Sequence, residues 1–392
     1  MEDFVYHNPV KVIFGRHALA ALTGELSGWG EPVLLVYGCG SIKRTGLYQR
    51  LCAALKEAGI AFIEHGGVQT NPLLSHVHSG IDKVRSAGCT GVLTVGGGSV
   101  IDSGKAIAAG CCAAHDIWKC FTGKKSVSRC LPLLCIPTVA GSGSDMNSGM
   151  VLTHDQKQRK FGFAHRLLIP RVSLVDPSLT VSVPFYQTAW GAVDTLVHCL
   201  EVYLTGAIDQ APLQRRFLEN ICQATIAACR RLQADPQSYT DRATMLWAAS
   251  LALSGITTAG LGRIAMPLHL LEHALSARRD LAHGAGLAAL LPGWLRFRLP
   301  ANASRLAGFG RQVFSIRGKD EVQAAVLTIE AFERFLREID CPCSLAALGV
   351  AEELLTELVD HCREQARVWR LHEFTDEAIA AAYRSCLTGN PR

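Results

Sequence analysis

Hydrophobic and polar positions change their spacing near the middle of the chain. In the first half, short apolar runs such as EPVLLVYG (31–38) alternate with amphipathic stretches such as GLYQRLCAALKEAGI (46–60). This alternation is typical of a parallel sheet with helices on its faces. After VSVP (181–184), long helical patterns follow and strand signals are scarce. The pattern predicts an α/β domain over residues 1–183 and an all-helical domain over residues 184–392.

The composition is that of a globular protein. Of the 392 residues, 49% are hydrophobic and 19% are charged, and the net charge of +5 includes no long Lys/Arg tract. Nucleic acid is therefore not an expected partner. No apolar run reaches the roughly 18 residues of a membrane span, and the N-terminus lacks the basic-then-apolar layout of a signal peptide. The 15 cysteines are irregularly spaced, which favours reduced thiols in a cytoplasmic protein over a disulfide framework.

Acidic and histidine residues recur at helical spacing in the second half. Asp194 and His198 are four apart in GAVDTLVHCLE, so a helix places them on one face. His269 and His273 repeat that spacing, and His283 follows shortly after. One carboxylate and three imidazoles suit a divalent ion such as Fe²⁺, Zn²⁺, Ni²⁺ or Co²⁺. We therefore predict that Asp194, His198, His269 and His283 form one metal site.

His273 shares a helix face with His269 but would be a fifth ligand. A buried, hydrogen-bonded histidine with a purely structural role is the plain alternative. If the metal site is real, we expect His273 to lie beside it and to carry a proton during catalysis.

Two glycine-rich loops follow strand-like runs in the first half. GGGSVIDSGK (96–105) opens a helix, and glycines there let a phosphate approach the backbone at a helix N-terminus. Its spacing is not GxGxxG, so a tight turn is the alternative. Asp102 either supports that helix or leans toward a cofactor. IPTVAGSGSDMNSG (136–149) offers the hydroxyls of Thr138, Ser142 and Ser144, unless it is only a flexible loop.

The turn YGCGSIKRTG (37–46) carries no carboxylate that could hold a ribose 2′-hydroxyl. It offers Ser41, Lys43 and Arg44 instead, which suit a 2′-phosphate. The turn therefore favours NADP(H), with NAD(H) as the second possibility. A solvated basic turn is the alternative without a function.

In this order along the chain, the motifs resemble those of the iron-containing (group III) alcohol dehydrogenase family. The motifs are NPVKVIFG, GGGSVIDSGK, IPTVAGSGSDMN, GAVDTLVHCLE and HLLEHALSARRDLAHGAG. Within the family, the chain is most similar to the butanol dehydrogenase-like branch of NADPH-dependent aldehyde reductases. The resemblance implies a Rossmann-like N-terminal domain with a parallel sheet and an all-α C-terminal domain, the architecture also found in dehydroquinate synthase.

The resemblance also implies roles for single residues. Asp194, His198, His269 and His283 would bind the metal, with Fe²⁺ the favoured ion and Zn²⁺ or Ni²⁺ as alternatives. His273 and Asp102 are the expected catalytic residues. The cofactor contacts that the resemblance implies are Asn71, Gly97, Gly98, Ser99, Asp102, Thr138, Ser142 and Lys160. The turn after the first strand-like run adds Gly38, Gly40, Ser41 and Lys43 as expected contacts. Cys39 departs from the glycine usual in the branch and is expected to narrow the 2′-phosphate pocket.

The implied reaction is hydride transfer between a nicotinamide and an alcohol or aldehyde held by the metal. An alternative keeps the fold but uses an anionic or phosphorylated substrate, as in relatives similar to glycerol-phosphate dehydrogenase or dehydroquinate synthase. Arg263, Arg278 and Arg279 near the metal motif leave that alternative open. We expect a homodimer whose other partner is a small-molecule substrate.

Overall fold

The computed structural model describes residues 1–388. This part of the chain contains two compact units. One unit runs from His7 to Val183, and the other combines Met1–Tyr6 with the segment that begins at Pro184. That each unit folds as an independent domain stays a prediction.

A six-stranded sheet forms the centre of the first unit. The strands of this unit are β1 (Lys11–Phe14), β2 (Val33–Gly38), β3 (Phe62–Val68), β4 (Gly91–Gly96), β5 (Leu133–Pro137), β6 (Gly149–His154), β7 (Arg159–Ala164) and β8 (Val172–Val175). The sheet has the order β1-β8-β5-β4-β2-β3, and each neighbouring pair is parallel. Strands β6 and β7 form a separate antiparallel hairpin. The predicted parallel sheet is confirmed.

Helices pack against this sheet and bury its central strands. The helices of the first unit are α1 (Leu22–Leu26), α2 (Ser41–Arg44), α3 (Leu47–Glu57), α4 (Leu74–Ala87), α5 (Gly98–Gly110) and α6 (Trp118–Phe121). Strands β4, β5 and β8 are buried along their whole length. Parallel strands covered on both faces read as continuous apolar runs, which explains why the sequence pattern identified them.

The order of the strands creates a switch point between β2 and β4. From β2 the chain continues to its neighbour β3 on one side, whereas from β4 it continues to β5 on the other side. The carboxyl ends of these two strands, at Gly38 and Gly96, therefore lie next to each other. In open parallel sheets, ligands bind in the crevice outside the strand ends at such a point.

The second unit consists of helices. They are α7 (Phe185–Thr205), α8 (Pro212–Ala234), α9 (Tyr239–Ala252), α10 (Pro267–Arg279), α11 (His283–Val313), α12 (Glu321–Glu338), α13 (Leu355–Trp369) and α14 (Asp376–Leu387). Helix α11 is interrupted at Asn302, where φ is −130°, two residues after Pro300. Helix α7 is buried on all sides from Gly191 to Leu204. A polar side chain on α7 therefore needs a partner inside the protein.

Two further features concern the whole described chain. All 15 cysteines are free thiols, and ten of them are buried. No helix within residues 1–388 is both long enough and apolar enough to cross a membrane.

Close packing of α11 against α14 gives a test of the helical unit. A methyl group added at Gly293 would lie within 2.5 Å of the Cys386 Cα atom, whereas one added at Gly308 would be in ordinary contact, 3.5 Å from the Tyr203 hydroxyl. We expect Gly293→Ala to destabilise the protein by about 1–3 kcal/mol, because backbone cannot yield as a flexible side chain does. Gly308→Ala is the control on the same helix, with an expected effect between zero and a gain of about 1 kcal/mol. The melting temperatures of the two variants are measured by calorimetry. Equal melting temperatures would contradict the close packing of α11 against α14 at Gly293.

Candidate functional site

Four predicted metal ligands meet in the helical unit. Asp194 and His198 lie on α7, His269 lies on α10, and His283 is the first residue of α11. The Oδ1 atom of Asp194 is 3.4 Å from His198 Nε2, 3.6 Å from His269 Nε2 and 3.6 Å from His283 Nε2. All three imidazoles thus direct the same ring nitrogen toward one carboxylate oxygen.

This arrangement fits a divalent metal ion. Donor atoms about 2.1 Å from a tetrahedral ion lie about 3.4 Å from one another, close to the three distances from Asp194 Oδ1 to the imidazole nitrogens. Asp194 Oδ1 and His269 Nε2 are buried, yet neither has a hydrogen-bond partner within the described residues. Buried polar atoms are rarely left unpaired, and a cation between these donors would satisfy both.

Two glutamates support the imidazoles from behind. Glu201 on α7 accepts a hydrogen bond from His269 Nδ1 through Oε2 and one from the Leu268 N–H through Oε1. Glu272 on α10 accepts a hydrogen bond from His283 Nδ1. Both glutamates are 0% exposed. A carboxylate that accepts from Nδ1 fixes the tautomer and leaves the Nε2 lone pair for a metal.

The charges around the cluster favour a positive charge at its centre. Burial by itself would lower the pKa of His269, but the Glu201 and Asp194 carboxylates outweigh it and raise this pKa to about 10. Burial lowers the pKa of His198 to about 3. Burial would raise the pKa of Asp194, but the imidazoles, His198 first, take it below its usual range. The carboxylates beside His269 thus stabilise positive charge at this place, and a divalent cation would supply that charge instead of a proton on His269.

The sequence contains a signal for the two glutamates that the predictions did not use. Glu201 follows Asp194 by seven residues and His198 by three, so all three share a helix face. Glu272 lies between His269 and His273. A search for carboxylates at helical spacing from the ligands would have found Glu201.

His273 lies beside the four-ligand cluster. Its ring centroid is 6.3 Å from that of His269 and 5.7 Å from that of His283. Its Nδ1 atom is 3.1 Å from Gln365 Oε1 on α13, and the Trp369 ring lies 5.9 Å away. Gln365 thereby holds the His273 ring next to the ligands.

Three arginines near the metal motif were the reason for considering an anionic substrate. Each of them has a partner within the protein. Arg263 donates a hydrogen bond to the Trp369 carbonyl at 3.0 Å. Arg278 forms an ion pair with Glu357 at 3.3 Å, and Arg279 donates to the Gly349 carbonyl at 3.4 Å. These contacts give the three arginines a structural role in the packing of α13 and its neighbouring loops.

In the first unit, the predicted nucleotide loops converge on the N-terminus of α5. Gly97 is the residue before that helix, and the Thr138 N–H donates to the Gly96 carbonyl at 3.0 Å. A Cβ atom at Gly98 would lie 2.7 Å from Ser142 Cβ. Only glycine at position 98 thus lets the loop after β5 approach this closely.

Hydrogen bonds join two further predicted contacts to the same place. Ser99 donates from its hydroxyl to the Thr70 carbonyl at 2.5 Å. The next residue, Asn71, accepts at Oδ1 from Lys160 Nζ at 3.0 Å, and both side chains are buried. The structure thus brings Asn71, Ser99 and Lys160 to one side of the α5 N-terminus. Their contact with a cofactor stays a prediction.

Asp102 and Lys105 on α5 hold the loop that follows β5. Asp102 accepts from the Ser144 hydroxyl at 2.5 Å and from the Val151 N–H at 2.9 Å. The fully buried Lys105 ammonium donates to the carbonyl groups of Asn147 and Gly149. These bonds give Asp102 a structural role, and its predicted catalytic and cofactor roles stay predictions. Lys105 is not among the site residues predicted from the sequence.

The turn after β2 carries the residues predicted to meet a 2′-phosphate. Gly38 ends the strand, and Gly40 has φ +119° and precedes α2, which starts at Ser41. The Cys39 thiol donates to the Val68 carbonyl at 3.4 Å. Lys43 lies over two tyrosine rings.

Comparisons with known proteins agree with this architecture. A family model described as iron-containing alcohol dehydrogenase matches residues 9–177, and its C-terminal counterpart matches residues 188–387. The chain is 39% identical over 363 residues to the probable NADH-dependent butanol dehydrogenase 2 of Bacillus subtilis (strain 168), with 92% of each chain covered. It is 32% identical over 368 residues to the NADPH-dependent aldehyde reductase YqhD of Escherichia coli (strain K12), with 92% of this chain and 94% of that one covered.

A solved structure gives the same result. The crystal structure of NADH-dependent butanol dehydrogenase A from Thermotoga maritima has a TM-score of 0.95 and 34% sequence identity, and 99% of each chain is covered. The two family matches span both units, and the relatives match nearly the whole chain. The protein is therefore a member of the iron-containing alcohol dehydrogenase family and an oxidoreductase.

Proposed function

We propose that this oxidoreductase transfers hydride between a nicotinamide nucleotide and a small alcohol or aldehyde at a divalent metal ion. The favoured reaction is aldehyde reduction by NADPH, with NADH as the second cofactor, and Fe²⁺ is the favoured ion, with Zn²⁺ or Ni²⁺ as alternatives. The observation that carries the proposal is the convergence of three imidazole Nε2 atoms on the unpaired, buried Oδ1 atom of Asp194. The relatives named above are alcohol and aldehyde enzymes and give no support to an anionic substrate.

The helical unit supplies the metal ligands and a group for the proton. Asp194, His198, His269 and His283 would hold the ion, which when bound acts as a Lewis acid on a substrate oxygen. Glu201 and Glu272 orient two of the imidazoles toward it. His273, held by Gln365, is the residue that we assign to proton transfer.

The first unit supplies the nucleotide loops. The backbone of Gly97, Gly98 and Ser99 at the start of α5 suits a pyrophosphate. Thr138, Ser142, Asn71 and Lys160 border the same place. Asp102 accepts hydrogen bonds from Ser144 in the loop and from Val151 on β6, and so supports that surface. Gly38, Gly40, Ser41 and Lys43 are assigned to the adenosine end. We further propose a homodimer, as the resemblance implies.

The decisive experiment follows oxidation of NADPH and NADH at the nicotinamide absorbance with a panel of short, medium and anionic aldehydes. Metal-free protein and protein reloaded with Fe²⁺ or Zn²⁺ are compared. Metal-dependent turnover of neutral aldehydes is the expected result. Turnover of anionic aldehydes alone would favour the alternative substrate class, and turnover without metal would reject the metal site.

Removal of one ligand tests the metal assignment directly. We expect His269→Ala to lose bound metal, measured by elemental analysis, together with activity. His372→Ala, which removes an exposed histidine of the same unit, is the control and should keep both. Full metal occupancy and full turnover in the His269 variant would refute the ligand assignment.

The glutamates behind the imidazoles allow a test in which metal affinity should fall without being lost. Glu272→Gln removes the charge behind His283, and we expect metal affinity to fall by about 10- to 100-fold. The affinity is measured by competition with a chelator, without any turnover. The loss should be smaller than in His269→Ala, because all four ligands remain. An unchanged affinity would show that Glu272 only fills space.

His273 tests the proton path. We expect His273→Ala to slow turnover by about 10²-fold, because general acid–base groups typically contribute that much or more. The variant should still bind metal as the unmodified protein does, since His273 is not among the four ligands. Turnover that is unchanged across the pH range would remove His273 from the mechanism.

A further inference from the structure

Lys43 lies in a cage of three side chains that the sequence analysis did not anticipate. Its ammonium nitrogen is 5.0 Å from the Tyr37 ring centroid and 4.7 Å from the Tyr48 ring centroid. The two rings are 5.6 Å apart. A lysine over aromatic faces at these distances is held by cation–π attraction. We use the name Lys43 cage for Tyr37, Tyr48 and the glutamate that joins them, Glu64.

Glu64, which is on β3, lies behind the two tyrosines. Its Oε1 atom accepts a hydrogen bond from the Tyr48 hydroxyl and its Oε2 atom accepts one from the Tyr37 hydroxyl, both at 2.7 Å. These bonds, that of Tyr48 first, lower the pKa of Glu64. The carboxylate is therefore ionised at neutral pH and has a phenol on each oxygen.

The cage keeps a negative charge close to Lys43 without a direct ion pair. No ion pair joins Lys43 to Glu64 within residues 1–388. The pKa of Lys43 is nevertheless raised, first by its hydrogen bond to Tyr37 and to a smaller extent by the charge of Glu64. The turn 37–46 itself contains no carboxylate. Glu64 lies opposite Leu35 in the register between β2 and β3, so only the sheet brings it there.

We propose that Glu64 is a specificity residue whose negative charge, held behind Lys43 by two phenols, limits the preference for a 2′-phosphate and so allows use of NADH beside NADPH. The inference rests on the proposed function, because it takes the turn after β2 as the place of the adenosine ribose. NADPH and NADH differ at that place by a phosphate, so a nearby fixed charge acts on NADPH far more than on NADH.

The expected size of the effect follows from Coulomb's law. A unit charge several ångströms from a phosphate, in the high effective dielectric of a surface and with salt screening, changes affinity by about three- to tenfold. The same reasoning predicts that the effect shrinks as ionic strength rises.

Glu64→Gln is the first test, because it removes the charge and keeps the shape. We expect the ratio of kcat/KM for NADPH to that for NADH to rise about three- to tenfold at low salt, and less at high salt. Nucleotide affinities measured by fluorescence titration should show the same change without turnover. Glu57→Gln, an exposed glutamate on α3 outside the cage, is the matched control and should leave the ratio unchanged. Melting temperatures confirm that each variant is folded.

Tyr48→Phe is the opposite test. Loss of this hydroxyl frees Glu64 Oε1 to pair with Lys43 directly, so the NADPH-to-NADH ratio should fall about threefold. The double variant Tyr48→Phe/Glu64→Gln should return to the ratio of Glu64→Gln alone, because no charge remains to pair.

The outcomes separate this inference from the proposed function. An unchanged ratio in folded Glu64→Gln at low salt would overturn the role of Glu64, while metal-dependent turnover of the unmodified enzyme would still support the proposed function. Failure of the unmodified enzyme to bind either nucleotide would overturn both.

Discussion

The buried carboxylate of Asp194 is the constraint on which the helical unit depends. It lies on a helix that is buried on all sides, and its Oδ1 atom lacks a hydrogen bond. A buried charge without a partner costs several kcal/mol, so such a group persists only where something else compensates it. Three imidazoles from α7, α10 and α11 supply donors around it. A divalent ion bound among these donors, as we propose, would couple the folding of these helices to metal binding.

The close approach of α11 to its neighbours follows from two glycines after His283. A Cβ atom at Gly284 would lie 2.6 Å from Trp190 Cβ, and one at Gly286 would lie 2.8 Å from Glu272 Oε1. Larger residues would push the start of α11 away from α7 and α10, and His283 would move with it. The position of His283 beside Asp194 therefore depends on two small residues.

The first unit uses charge in a similar way. Lys105 is a fully buried cation, and its bonds to the Asn147 and Gly149 carbonyls hold the loop after β5 against α5. At the other side of the switch point, Glu64 and Lys43 are separated by two tyrosines instead of being paired. The Lys105 charge stabilises a loop, whereas the Lys43 charge remains exposed where a nucleotide phosphate could meet it.

The sequence by itself determined the parallel sheet and the helical second half, and it predicted the four residues that the structure brings together around Asp194 Oδ1. Apolar runs and i, i+4 spacing are local signals, and neither needs tertiary contacts. The tertiary structure decided which buried carboxylates stand behind the imidazoles and which side chains surround Lys43. Glu272 on α10 meets His283 on α11, while Glu64 reaches Tyr37 across the pairing of β2 and β3 and Tyr48 on α3. Such partners lie on different elements, and only the packing of whole elements fixes the few ångströms that separate them.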